Sequence, residues 1–310
     1  MDELTRLSVH DDAPAPPSPG ARHAVAAVDE PSRPPRAEQR WIENAPSHAW
    51  LPRIDLAELW ASRELVLTLA LRNIKVRYKQ TALGVVWAIL QPLIGVVIFT
   101  IVMRRLAHIP SEGIPYAVFA FAGLIPWTYF VNSANQAADS LVAYRELVTK
   151  VYFPRLLAPI SAVLPGLIDL GISLLALGVL MAVLGVKPGA QIVLLPLWVV
   201  ALVVITGGIG IGLSAVNARY RDVRNALGFL LQIGLFATPV VYPSTLAHGA
   251  LRTLLYVNPL AGVIECFRWS VIGTPLPTAA AFVSLASGLL VFFAGLLYFA
   301  RVERRLADVI

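Results

Sequence analysis

Two hydrophobic patterns divide the chain from residue 54 onward. In the first, Leu56, Leu59, Trp60, Leu67, Leu71, Ile74 and Tyr78 recur at helical spacing, as one face of a helix requires. Arg72, Lys75 and Lys79 lie to one side of that stripe, while Arg63 and Arg77 sit near its edge and make the amphipathicity imperfect. Asp55 is placed to cap the helix, with Glu58 three residues later as in a capping box. An apolar stripe beside a basic flank predicts a helix lying in a membrane interface over 54–79.

In the second pattern, long runs contain no Asp, Glu, Lys or Arg. They are Gln80–Met103, Gly113–Ala138, Leu156–Val186 (broken only by Asp169), Pro188–Ala218, Asn225–Leu251 and Trp269–Ala300, of which 278–300 suits a span. A crossing of a hydrocarbon core about 30 Å thick needs about 20 apolar residues, so these runs predict six spans. Residues 244–277 are apolar but broken by Asn258-Pro259, Glu265, Arg268, Pro275 and Pro277. Their halves, 246–257 and 260–272, would each reach only about 18 Å as helices, too short to cross. The expected fold is therefore all-α and integral to a membrane. It has an N-terminal amphipathic interface helix, six transmembrane helices over 80–305, and two short re-entrant helices on the outer side between spans five and six.

Charge fixes the expected orientation. With six spans, one side carries Arg63, Arg72, Lys75, Arg77 and Lys79, then Arg145, Lys150 and Arg155, then Arg219, Arg221 and Arg224, and finally Arg301, Arg304 and Arg305. The other side carries only Arg104, Arg105, Lys187, Arg252 and Arg268. Basic residues gather on the cytoplasmic side, so both termini are expected inside. A seventh span would place Arg301–Arg305 outside, against that rule. Arg104-Arg105 is a local exception.

Composition agrees. The 310 residues are 57% hydrophobic and 14% charged, against about 25% charged in soluble domains, and the mean hydropathy is +0.70. The net charge of +6 does not read as nucleic-acid binding, because it lies in short clusters flanking apolar runs, where it meets anionic lipid. Residues 1–53 hold nine prolines between Pro14 and Pro52 and read as a disordered cytoplasmic tail. Its most apolar stretch, Ala24–Val28, is far short of a signal-peptide core. Cys266 is the single cysteine, and the five histidines form no ligand motif, so neither an intrachain disulfide nor a metal site is expected.

Few residues are candidates for chemistry. Asp169 is the one acid deep in a clear span, about 20 Å along its helix. An ionisable group there is costly and faces protein or water. It reads either as a channel-lining or gating group or as a hydrogen-bonded packing residue. Trp87, Trp127, Tyr129, Phe130, Trp198, Tyr242, Tyr256, Phe267 and Trp269 lie near predicted interfaces. They form either an ordinary aromatic belt or a lining on which sugar rings stack. The segments Ala143–Arg155 and Asn217–Arg224 mix charge with aromatics. Each either sets topology or docks a cytoplasmic subunit, as Arg and aromatic enrichment at interfaces favours. The phosphate-binding pattern G-x-x-x-x-G-K-[ST] is absent. Gly207-Gly-Ile-Gly-Ile-Gly212 lies inside an apolar span, where small residues bring helices close. ATP, if it drives the protein, is expected on another chain.

Several pieces in order carry a resemblance: Arg77-Tyr-Lys-Gln-Thr-Ala-Leu-Gly84, Trp87, Gln91-Pro92, Lys150-Val-Tyr-Phe-Pro-Arg155, Asn217-Ala-Arg-Tyr-Arg-Asp-Val-Arg224, Thr238-Pro239-Val-Val-Tyr-Pro243 and Asn258-Pro259. Together they resemble the permease subunit of ABC-2-type polysaccharide exporters, which carry O-antigen, capsule, teichoic-acid or galactan precursors. The Pro-rich tail departs from that family's compact N-terminus. The resemblance implies a homodimer in the cytoplasmic (inner) membrane of a bacterium. Two ATP-binding cassette subunits, which hold ATP and Mg, would drive a polyprenyl-linked glycan through it. Coupling would fall to Tyr144, Arg145, Glu146, Lys150 and Arg155, and to Arg219, Tyr220, Arg221, Asp222 and Arg224. The outer gate would comprise Tyr256, Asn258, Pro259, Phe267 and Trp269, and the channel-lining candidates are Trp87, Trp127, Tyr129, Phe130 and Asp169. Arg72, Lys75, Arg77 and Lys79 are placed to meet the lipid pyrophosphate at the inner interface. Three other classes stand beside this reading. An ABC-2-type drug or lipid permease fits the motifs less well. A membrane-embedded glycosyltransferase needs grouped acidic or metal-binding residues. A secondary carrier would use Asp169 as its coupling site.

Overall fold

The computed structural model describes residues 60–79, 86–145, 154–220 and 222–306, all within the compact unit Ala49–Ile310. The expected tail 1–53 and the Asp55–Glu58 cap lie outside the described residues. Among the described residues every regular element is a helix, as the hydrophobic pattern requires.

Helix α1, Arg63–Lys79, has Glu64 in its first turn and Arg77 and Lys79 in its last, charges that suit the helix dipole at each end. It buries Leu69 and Ala70 and leaves Leu67 and Leu71 more than half exposed. One face thus lies on protein and another is open to lipid. Helix α2, Val86–Phe99, contains Pro92 and continues as a π-helical stretch, Thr100–Leu106, that carries Arg104 and Arg105. Helix α3, Tyr116–Ala143, is buried along most of its length, as a central helix is, and its second half carries Asn132, Asn135, Gln136 and Asp139.

One path runs through α4, Leu157–Val163, and α5, Gly166–Val183, with a break at Leu164-Pro165. A 3-10 turn, Ala190–Leu194, leads into α6, Leu195–Arg219, which packs along α3 on one side and the last helix on the other. Next come α7, Val223–Ala237, α8, Gly249–Val257, and α9, Ala261–Ile272, closed by Gly273 in the left-handed region at φ 67°. The last helix is α10, Ala279–Leu306.

Among the described residues, five helical stretches are long and apolar enough to cross a membrane: Ile89–Leu106, Tyr116–Ala143, Leu157–Val183, Ala190–Arg219 and Ala279–Glu303. The chain is a multi-pass membrane protein. The run Asn225–Leu251, expected as one continuous span, is built differently. Its helix α7 has 15 residues and covers about 22 Å. It stops at Thr238, whose ψ of 144° is extended, because the following Pro239 disfavours the helical region. The chain then runs through a turn in which Thr238, Val240 and Val241 are fully buried. Non-helical backbone is tolerated at membrane depth only where protein covers it. The two short helices α8 and α9 occupy the segments expected from the broken pattern between runs five and six.

The glycine run in α6 makes a helix contact, as its apolar setting implies. A Cβ at Gly208 would collide with Phe292 of α10, one at Gly295 with the Gly208 carbonyl, and one at Gly212 would lie 3.2 Å from Gly295 Cα. Gly207, on the other side, meets nothing within 4 Å. The main core gathers around α3, and a second cluster joins Leu69 of α1 to Leu141, Tyr144, Leu156, Ile211, Ala215 and Phe299.

Candidate functional site

That second cluster underlies a polar face where α1, the last turns of α3, α6 and α10, and the first turns of α4 and α7 meet. Tyr144 is buried and donates its hydroxyl to Asn73 Oδ1 at 2.6 Å, and the Arg72 guanidinium sits 5.8 Å from its ring centre. Arg155 donates to the Glu303 carbonyl at 2.7 Å, fixing the start of α4 to the end of α10. Asn217 Nδ2 donates to the Ala138 carbonyl at 3.0 Å and to Asp139 Oδ1 at 3.3 Å. The other Asp139 oxygen faces Arg224 Nε at 3.6 Å. Among the described residues, 143–145 and 154–155 of the first expected segment and 217–220 with 222–224 of the second lie on one face. Arg145, Arg219, Tyr220 and Asp222 remain exposed there, with Arg219 5.2 Å from the centre of the Tyr220 ring. Glu146, Lys150 and Arg221 lie outside the described residues. Sequence reasoning missed Asp139 and Asn73. Their signal was position alone: Asp139 directly follows the apolar run Gly113–Ala138, and Asn73 lies about two turns before the run Gln80–Met103.

Asp169 is not alone. Its Oδ2 lies 2.7 Å from Arg77 Nη1, and the Tyr78 hydroxyl donates to Oδ1. The Asp169 side chain is 13% exposed and that of Arg77 34%, so the pair is largely withdrawn from water. This joins the last turn of α1 to the first turn of α5. Of the basic residues assigned to pyrophosphate, Arg77 is thus engaged by protein, while Arg72, Lys75 and Lys79 are exposed.

The channel-lining candidates Trp127, Tyr129 and Phe130 are buried within the single chain, at 7%, 2% and 6% exposure. Trp127 packs against Phe130 with ring centres 5.6 Å apart and closes over Gly234 of α7, where a Cβ would stand 2.9 Å from the indole. Trp87 is in α2, and its side chain lies outside the described residues.

At the far end, Tyr256 donates to Glu265 at 2.9 Å and is buried, as is Phe267. Asn258 caps the turn before α9 by accepting from the Leu260 amide at 3.0 Å and donates to Thr238 Oγ1 at 2.7 Å. Pro259 and Trp269 are half-buried. Arg268, which sequence reasoning treated only as an outer charge, is 2% exposed. Its neighbour in charge, Glu112 of the loop between α2 and α3, has its carboxyl raised above the usual range by burial, while Arg268 pulls it down.

Residues 64–272 match the profile of the family described as ABC-2 type transporter. The O-antigen export system permease protein RfbA of Myxococcus xanthus is 34% identical over 236 residues, covering 74% of this chain and 88% of that protein. An RfbA of the same description from Klebsiella pneumoniae is 26% identical over 248 residues, covering 80% and 95%. The polysialic acid transport protein KpsM of Escherichia coli is 26% identical over 250 residues, covering 78% and 95%.

Proposed function

The chain belongs to the ABC-2 type transporter family, and from that premise we propose that it is the channel-forming permease subunit of an ATP-driven polysaccharide exporter in a bacterial cytoplasmic membrane. The observation that carries this reading is the similarity, over 74–80% of this chain and 88–95% of the relatives, to permeases named for O-antigen export and polysialic acid transport. The cargo is a lipid-linked glycan of the O-antigen, capsule, galactan or teichoic-acid type.

Energy enters through two separate ATP-binding subunits that dock on the face built from Arg145, Arg219, Tyr220 and Asp222. The Asp139–Asn217–Arg224 network and the Arg155–Glu303 contact tie that face to the roots of α3, α6, α7 and α10. A displacement of the docking loops is then carried into the spans rather than absorbed locally. Both termini face the cytoplasm, as the distribution of Lys and Arg favours.

Two copies of the chain enclose the channel, and α7 supports that arrangement. Only Leu227 and Leu231 of this helix are buried, and Phe229, Leu230, Ile233 and Phe236 are at least half exposed. Gln232 is exposed on the same helix, about 14 Å from its start. An unsatisfied amide facing lipid there costs several kcal/mol, so this face suits a second copy or a watery channel.

The test is isolation and reconstitution. The reading expects the chain to co-purify with an ATP-binding subunit and export to require ATP hydrolysis. Transport by the chain alone, driven by an ion gradient, would overturn it in favour of a secondary carrier.

A further inference from the structure

The break after α7 exposes backbone carbonyls that a continuous helix would satisfy, and all three in sequence are captured. Arg268 Nη2 donates to the Val240 carbonyl at 2.7 Å and to the Pro239 carbonyl at 3.2 Å. The Tyr116 hydroxyl donates to the Val241 carbonyl at 2.6 Å. The guanidinium lies 3.8 Å from the centre of the Phe119 ring, a cation–π contact that gains strength when desolvated. Gly123 leaves the room this needs. A Cβ there would collide with both Arg268 Nη2 and the Val240 carbonyl. Tyr116, Phe119 and Gly123 follow the i, i+3, i+7 spacing of one face of α3. The carboxylates of Glu112 and Glu265 offset the buried charge. On the other side of the break, Asn258 at the α8–α9 turn donates to Thr238 Oγ1 at 2.7 Å.

We propose that Arg268 is a positioning residue: it clamps the unwound segment Thr238–Val241 to α3 and α9, so that α7 and the α8–α9 hairpin move as one body. The clamp deepens the transport reading and rests on it only for its consequence. A shift of α7 begun at the cytoplasmic face reaches the short helices because the joint cannot flex. Lysine can donate to the two carbonyls and keep the charge but cannot stack flat on Phe119. Methionine fills similar space with neither donor nor charge.

The test uses the full chain with its ATP-binding subunit in lipid nanodiscs, with amide hydrogen exchange and export per ATP hydrolysed as two readouts. In Arg268→Met, exchange across Val240–Ala247 should rise about fivefold, the factor one hydrogen bond is worth. Export per ATP should fall about fivefold, the low end of a typical coupling, with Arg268→Lys recovering most of both. Faster exchange with unchanged export per ATP overturns the proposal, as does unchanged exchange, or a lysine variant as impaired as methionine. If Arg268→Met does not accumulate, Tyr116→Phe decides. It should loosen the same segment and lower export per ATP, and wild-type values for it overturn the clamp. A wild-type complex that hydrolyses ATP without moving glycan would strike the transport reading alone, because the exchange comparison still judges the clamp.

Discussion

A lone carboxylate in an apolar run has two readings in sequence, and at Asp169 the tertiary contacts are those of a fastener. Its partners, Arg77 and Tyr78, are 92 and 91 residues away in the chain, so no local spacing could have announced them. A partly buried ion pair with a charge-assisted hydrogen bond holds α1 against α5. Asp169→Ala should therefore destabilise the protein by about 1–3 kcal/mol, and Tyr78→Phe by less. A thermal melt in detergent checks this, with the exposed neighbour Ile168→Ala expected to melt as wild type. The same contact sharpens the pyrophosphate hypothesis. Arg77→Gln would damage both packing and any substrate contact. Lys75→Gln with Lys79→Gln touches two exposed cations and should lower export about thirtyfold, since each basic group near an anionic surface is worth about 1 kcal/mol. The complex should remain intact on size-exclusion chromatography. Unchanged export would sink the assignment of these lysines.

Among the elements, a close helix approach at the α6 glycines was legible because glycines in an apolar run have one good use, close approach, but its partner, α10, was not. Which glycines make the contact was not legible, because that depends on helix rotation. Gly208 and Gly212 face α10, and Gly207 faces open space. Gly208→Leu should overpack the crossing by about 1–3 kcal/mol or more and reduce the amount of monodisperse protein recovered from membranes. Gly207→Ala should accumulate normally. A normal yield for Gly208→Leu would contradict the crossing. The fifth run shows the opposite case. Its hydropathy read as one span, but Thr238-Pro239 ends the helix. What permits the break, the capture of carbonyls by Arg268 and Tyr116, is a contact across more than 25 residues.

For the whole molecule, the uncovered face of α7 makes a prediction about assembly. Gln232→Cys should form a disulfide-linked dimer on mild oxidation, visible as a doubled mass on a non-reducing gel. Leu175→Cys on α5, 74% exposed in a wholly apolar stretch, should not. The native Cys266 is buried and should not contribute. Crosslinking through Leu175 but not Gln232 would move the dimer contact to another face.

By itself the sequence determined the membrane class and the helical fold, and it gave an expected orientation and two candidate docking segments. Each of these follows from quantities that add along the chain: apolar length against bilayer thickness, basic residues on one side, and the side-chain mixture of a loop. Only the tertiary structure decided that Asp169 is paired, that Trp127, Tyr129 and Phe130 pack inside one protomer, and that Arg268 seals the broken helix. Those outcomes depend on which helix faces meet. Helix rotation and long-range contact are set by the sum of many weak packing terms, which no single segment of the chain encodes.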